Sequence, residues 1–386
     1  MRIVVVHSFY SAAQSSGENA VVLDQVTALR SGGHDVHLIA RETDSVGGGW
    51  LYPVASALTA ATGVGSDPCA SLDVLQPDIV HVHNTFPNWG TRWTREWSGR
   101  LVTTVHNFRP VCASAILFRE GHDCQACLEH PVLPAVHYRC YRESVVATVP
   151  LALASRPGGP LRTMLARSAE VVVLNPYAQT LYERVLGRQV RLVPNFVHSS
   201  EEPPAASRRG WLYVGRLTEE KGIKQLLADW PEGEPLDVFG AGPLEAEIRH
   251  LAREREGVRI RGQMGREDVV SSISSSEGLV VPSLWREGLP TTILEAMSVG
   301  RPSVVSSRVA VAGVLRDQGA AVVYTPGDPS SLAAALAHVR GHRASLEASC
   351  LSAHQAHYSQ SAWLGAIEQV YSAVRGRLSH VDRTDR

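Results

Sequence analysis

Short runs of β-branched residues alternate with longer amphipathic segments along almost the whole chain, and this alternation leaves few folds open. A strand, a crossover helix and a second strand in the same direction form a βαβ unit. The pattern therefore predicts an α/β protein built on parallel sheets. In the first half the strand candidates are Ile3–His7, Val36–Ala40, Ile79–His83, Val102–His106, Val171–Leu174 and Val190–Val193. A helix from about Glu18 to Arg30 sets Val21, Val22, Val26 and Leu29 on one face and stops before Gly32-Gly33. The polar, acidic and Pro-rich stretch Ser199-Ser200-Glu201-Glu202-Pro203-Pro204 breaks the alternation and reads as a linker.

A second series follows. Its expected strands are Trp211–Val214, Leu236–Phe239, Val258–Arg261, Gly278–Val281, Ser303–Ser306 and Ala320–Tyr324, and its expected helices Ile223–Asp229, Leu244–Arg253 and Thr291–Val299. A chain of 386 residues is long for one ordinary domain and suits two. The expected division is residues 1–200, residues 205–360, and a closing segment 361–386 whose helix, with Leu364, Ile367, Val370 and Tyr371 in phase, returns to the first domain. Two doubly wound domains place a ligand in the cleft that faces the carboxyl ends of both sheets.

Composition removes several function classes. The formal net charge is −1, whereas nucleic-acid binding needs a strong positive excess. Basic residues are nearly all arginine, as in a GC-rich bacterial genome; Lys221 and Lys224 are the only lysines. The longest apolar stretch, Val145 to Ala154, contains Pro150 and is too short to span a bilayer, and the N-terminal run is a β run rather than a secretory signal. A cytoplasmic protein is expected. Arg92, Arg95, Arg100 and Arg109 allow a local basic patch and peripheral contact with the inner membrane face.

The densest chemistry lies in Pro282-Ser283-Leu284-Trp285-Arg286-Glu287-Gly288-Leu289-Pro290-Thr291 and the helix that follows. Glu287 falls in a loop at the carboxyl end of a strand. Glu295 falls about one turn inside a helix that the Thr291 hydroxyl can cap and that Gly300 and Pro302 close. Eight residues apart across a strand–helix corner, the two carboxylates can address different ends of one ligand. On spacing alone they could equally be ordinary surface acids.

The stretch Glu287-Gly288-Leu289-Pro290 with Glu295-Ala296-Met297 resembles the E-x7-E signature of family 4 glycosyltransferases, retaining enzymes of the GT-B fold. The resemblance implies that Glu295 binds the ribose hydroxyls of a nucleotide-sugar and that Glu287 contacts the transferred sugar, with Gly288, Leu289 and Pro290 beside it. A carboxylate suits a vicinal diol, since it accepts two hydroxyl hydrogen bonds at once. Tyr213-Val214-Gly215-Arg216-Leu217-Thr218-Glu219-Glu220-Lys221-Gly222 fits the same family. Gly215 lets backbone approach a phosphate, while Arg216 and Lys221 meet the charge that develops on the leaving diphosphate. Gly240-Ala241-Gly242-Pro243 matches the family's glycine-rich turn, and Met264 sits where such proteins hold the base.

In the first domain, Gly17 stands for the family's glycine-rich loop toward the donor diphosphate, and His106 corresponds to a histidine near the reacting sugar. After Ser306-Ser307 the family's paired-glycine loop is replaced by Arg308-Val309-Ala310-Val311-Ala312-Gly313. The implied activity is transfer of a hexosyl group from a nucleotide-sugar to a hydroxyl of a glycan, lipid or natural product, with no cofactor required. A nucleotide-sugar epimerase or a non-catalytic nucleotide-sugar-binding module is the alternative. Cys124-Gln125-Ala126-Cys127, flanked by Cys112 and Cys140 in an insertion at about 108–145, has the spacing of a structural zinc knuckle, with His122, His130 and His137 as substitutes. Four metal-free cysteines fit the spacing equally. Trp89, Trp93 and Trp97 recur every four residues, as on one helix face, packed in a core or stacking on an acceptor sugar.

Overall fold

The computed structural model describes residues 1–10, 17–46, 49, 51–199 and 208–384, with side chains through residue 378. Of the expected linker, Ser199 is among them and residues 200–204 lie outside the described residues. The chain divides into two compact units: residues 1–117, 124–193 and 364–386, and residues 118–123 with 194–363.

The first unit is built on a six-stranded parallel sheet. Its strands are β1 (Arg2–Phe9), β2 (Asp35–Glu42), β3 (Ile79–Asn84), β4 (Leu101–Val105), β7 (Glu170–Val173) and β8 (Arg191–Leu192), in the order β2-β1-β3-β4-β7-β8. Every residue from Ile3 to Ser8 is buried, which requires cover on both faces of the sheet and explains why β1 reads as a continuous apolar run. β8 is shorter than expected and pairs with β7 at the edge of the sheet. The Val145–Ser155 stretch is a helix that retains Pro150, begins at a Ser144 cap, and packs on the neighbouring Tyr52–Thr62 helix. Among the described residues no helix is long and apolar enough to cross a membrane.

The tryptophan spacing misleads. Residues 92–95 and 98–100 form two short 3-10 turns, not one α-helix, after a cis Phe86–Pro87 bond. Trp89 and Trp93 are buried, and their indole N–H groups donate to the His7 carbonyl at 2.9 Å and the Gly90 carbonyl at 2.8 Å. Both are core residues, each satisfied by a backbone carbonyl.

The second unit repeats the plan: β9 (Trp211–Val214), β10 (Leu236–Phe239), β11 (Val258–Gly262), β12 (Gly278–Val281), β13 (Ser303–Ser306) and β14 (Ala321–Tyr324), in the order β11-β10-β9-β12-β13-β14. β9 and β12 lie side by side at the point where the strand order reverses, which is where open α/β sheets bind ligands. A small antiparallel hairpin, β5 (Phe118–Arg119) with β6 (His122–Asp123), groups with this unit although its chain neighbours belong to the first.

The Gln360–Thr384 helix passes from one unit to the other. Trp363 packs on Phe196 in the second unit, the rings tilted and their centres 5.1 Å apart. Further along, the Tyr371 hydroxyl meets His81 at 2.7 Å, and Glu368 and Arg377 pair with His34 and Glu170 in the first unit.

Candidate active site

In the second unit two loops converge at the carboxyl ends of β9 and β12. The first runs from Gly215 to Gly222. Its start is held by the Gly215 N–H on the Phe239 carbonyl and by the Tyr213 hydroxyl on the Arg216 carbonyl, at 3.0 and 2.8 Å. Leu217 donates to the carbonyl of Ala241 in the glycine-rich turn at 3.0 Å. Residues 219–221 form one 3-10 turn, closed by Gly222 in the left-handed region at φ 72°. An alanine Cβ at that position would lie 2.1 Å from the Pro282 carbonyl oxygen. Only glycine therefore lets the first loop come this close to the second.

The closeness has a consequence for Glu287. Its carboxylate is buried, pairs with the Lys221 ammonium, and accepts the Ser283 hydroxyl. The Leu284 N–H reaches the Glu220 carbonyl at 2.9 Å, and the Ala310 N–H reaches the Glu287 carbonyl at 3.1 Å. The segment that departs from the family's paired-glycine loop thus supports the glutamate's backbone. Arg216 pairs with Glu220 at 3.1 Å, so both expected phosphate cations start from carboxylate partners. Burial, then the neighbouring Glu287 and Glu220, push the Tyr213 phenol far above its usual range, which keeps it a neutral donor.

Glu295 is also buried, about one turn into the Thr291–Ser298 helix, and accepts from Arg266 Nε at 2.9 Å. Arg266 opens the Arg266–Ser274 helix directly after the loop that contains Met264, which is half-buried. The expected Thr291 cap is corrected. Pro290 occupies the cap position with no side-chain cap bond, because Thr291 is already the first helical residue. Gly288 and Leu289 lie between the two glutamates as expected, Leu289 buried. Arg286, next to Glu287, pairs with Asp123 of the β5–β6 hairpin at 2.9 Å. Ser283, Arg266 and Asp123 escaped sequence reading. Ser283 lies in the same loop as Glu287, but the Asp123–Arg286 pair spans 163 positions and leaves no local signal.

The first unit carries a separate polar cluster at the carboxyl ends of its central strands. His106 follows β4, and its Nε2 meets His83 Nδ1 at 2.9 Å. His81 is held between the Tyr371 and Thr104 hydroxyls, each at 2.7 Å. His106 also lines a cavity with Asn84, Phe86, Asn107 and Arg109. Burial pushes His7 down to about 4 and His81 and His106 down to about 3, and holds His83 well below its usual value. His106 is therefore a neutral imidazole at physiological pH.

These histidines make the protein acid-sensitive. The unfolded chain protonates them near pH 6.5, whereas the native protein refuses those protons until about pH 4 or lower, so stability is present above 6.5 and falls as pH drops through that window. Glu18 works the other way, since burial raises its native value to about 7. One carboxyl does not offset four histidines. Urea midpoints should fall between pH 7.5 and pH 5; a rising midpoint would contradict the assignment.

Gly17 opens the Gly17–Ser31 helix and is exposed, followed at once by Glu18. The four cysteines are not brought together as a zinc site. Among the described residues no group of three or more His, Cys, Asp or Glu could hold a metal ion. Cys127 and Cys140 instead pack against a small apolar cluster around Ala113, Ala135, Leu151 and Ala152, and Cys112 meets the Ser114 hydroxyl at 3.2 Å. Burial pushes the Cys127 thiol up to about 11, so it packs there as a neutral thiol. Three of the four arginines have local partners: Arg92 and Arg100 donate to the Thr62 and Pro77 carbonyls, and Arg109 lies over the Phe86 ring.

Residues 208–341 match the family model described as Glycosyl transferases group 1. Over 97% of this chain and 95% of the relative, the sequence is 24% identical to a glycogen synthase of Mycobacterium tuberculosis. A shorter match, 32% identical over 30% of this chain and 32% of the relative, is to an alpha-D-kanosaminyltransferase of Streptomyces kanamyceticus. Among solved structures, sucrose-phosphate synthase of Thermosynechococcus elongatus superposes with a TM-score of 0.69 at 20% identity, covering 97% of this chain and 99% of that one. Anabaena Alr3699/HepE in complex with UDP and glucose does so with a TM-score of 0.63 at 12% identity, covering 97% and 100%. These likenesses are those of the GT-B fold, two Rossmann-like units on six-stranded parallel sheets.

Proposed function

We infer, for a chain that belongs to the group 1 glycosyltransferases, that it moves a hexosyl group from a nucleotide-sugar to an acceptor hydroxyl with retention of configuration. The observation that carries this reading is the buried Glu287 carboxylate, held by Lys221 and Ser283 where two loops meet at the strand-order reversal. A preorganised carboxylate there can fix sugar hydroxyls. Lys221 and Arg216 can exchange their carboxylate partners for the donor diphosphate as its charge grows.

In the proposed step the bond from the anomeric carbon to the diphosphate oxygen breaks, and its electron pair stays on that oxygen. The acceptor oxygen bonds the anomeric carbon on the same face, and its proton passes to the departing oxygen. No divalent cation is required, because Arg216 and Lys221 take the charge. His106, neutral, is proposed as a hydrogen-bonding group toward a sugar hydroxyl rather than as a cation. Glycan, lipid-linked and small-molecule acceptors all supply the hydroxyl that this step needs.

A panel of nucleotide-sugars screened by thermal shift and then by turnover tests the reading, with the anomeric configuration of the product read by NMR. An inverted product, or epimerised donor formed without acceptor, would overturn it. Glu295 has its own test. Glu295→Ala should weaken UDP binding by roughly ten- to hundredfold, since hydrogen bonds to a charged group are lost. Arg266→Ala should weaken it less, because Arg266 orients the carboxylate that Glu295 keeps. Equal UDP affinity in calorimetry for wild type and Glu295→Ala would remove the ribose contact.

A further inference from the structure

We propose that His83 is a positioning residue for the transfer step: its Nδ1 accepts the Nε2–H of His106 and so leaves His106 Nδ1 bare, as an acceptor for a substrate hydroxyl. This deepens the transfer reading above and rests on it. His83 Nδ1 and His106 Nε2 lie 2.9 Å apart, and both residues line the same cavity. His83 belongs to β3 and His106 follows its neighbour β4, so the bond ties together the carboxyl ends of two paired strands. The His83 ring also packs against the His81 ring, with centres 4.2 Å apart. His81 is itself pinned between the Tyr371 and Thr104 hydroxyls. His83 therefore has little freedom to turn away from His106.

Burial keeps both rings neutral, and a neutral imidazole carries one N–H and one bare nitrogen. One proton therefore lies between the facing nitrogens, and two arrangements can supply it. If His83 donates, both rings must carry their proton on Nδ1. If His106 donates, both carry it on Nε2, the form that an isolated neutral histidine side chain prefers. The second arrangement costs neither ring its preferred form. The hydrogen bond at one ring nitrogen then fixes the state of the other. His106 Nδ1 has no hydrogen-bond partner among the described residues, so it is the nitrogen left for a ligand. The ligand group it suits is one that donates: a sugar hydroxyl, not an ether or a phosphate oxygen.

The test uses the full chain with isotope-labelled histidine and no substrate. Proton–nitrogen correlation NMR reads which His106 nitrogen carries the proton, and His106→Ala assigns the signals. Wild type is expected to show Nε2 protonated and Nδ1 bare. His83→Leu leaves a buried Nε2–H with no acceptor, so the proton should move to Nδ1, where cavity water can take it. His83→Asn, whose side-chain oxygen can take the place of Nδ1, should keep the proton on Nε2. Turnover should fall about ten- to hundredfold in His83→Leu with donor KM nearly unchanged, and should largely recover in His83→Asn. Thermal midpoints check the fold, and the wild-type spectrum needs no variant at all. A wild-type His106 protonated on Nδ1, a His106 state that does not change in His83→Leu, or full turnover in that variant would each overturn the proposal. Failure of the transfer reading shows elsewhere, as a protein with the expected His106 state that consumes no nucleotide-sugar.

Discussion

Glu287→Ala should lower the turnover number by about 10²- to 10³-fold, the usual cost of removing one preorganised group that acts on the transition state. The expected loss is in kcat more than in KM. The carboxylate's partners Lys221 and Ser283 stay in place but lose the group that sets their geometry. Lys221 would then sit mostly buried with its carboxylate partner gone, and part of its charge would turn to the donor diphosphate. UDP affinity should therefore hold or rise while transfer collapses. Glu287→Gln separates charge from shape: it keeps an oxygen for Ser283 and loses the ion pair. Near-normal turnover in either variant, measured with the donor found by screening, would end the proposed role of Glu287.

Gly222→Ala should damage the site without touching any group that meets substrate. Two effects add at that position. Left-handed backbone costs an alanine about 1 kcal/mol, and a Cβ 2.1 Å from the Pro282 carbonyl oxygen forces the two loops apart. The sum should be about 2–4 kcal/mol of stability in the second unit, seen as a lower thermal midpoint, together with loss of most transfer because Lys221 withdraws from Glu287. Gly233→Ala is the control. Gly233 has the same φ of 72° but nothing within 4 Å of a built Cβ, so only the backbone cost should remain. Equal effects of the two substitutions would show that loop contact at Gly222 is immaterial.

Much of the architecture was legible before any coordinates. Five of the six second-sheet strands begin at the expected residue, because buried strand positions such as Leu279, Val280 and Val304 must be apolar, while the edge strand β11 alternates with Arg259 and Arg261 exposed. The helices at 52–62, 160–167 and 266–274 are short, between 8 and 11 residues, and no N-terminal side-chain cap announces them. Spacing misled at the tryptophans, and at the cysteines it left two readings open, for one reason. A period of four, or a Cys-x-x-Cys pair, states what a regular helix or knuckle would bring together, but the local backbone follows 3-10 turns at the tryptophans and a one-turn helix at Cys127 that packs on other contacts.

The E-x7-E pair shows the same division. Glu287 and Glu295 stand on a loop and a helix because local chain chemistry ends a strand at Val281 and starts a helix at Thr291. Those facts are short-range, and so the sequence by itself determines them. Which cation neutralises each glutamate is a long-range matter. Lys221 reaches Glu287 across 66 positions and Arg266 reaches Glu295 across 29. Loop closure over such lengths costs entropy that no local pattern records, and it is offset only by packing of the assembled sheet. The tertiary structure alone therefore decided that Lys221 holds Glu287 and that Ser283 shares it.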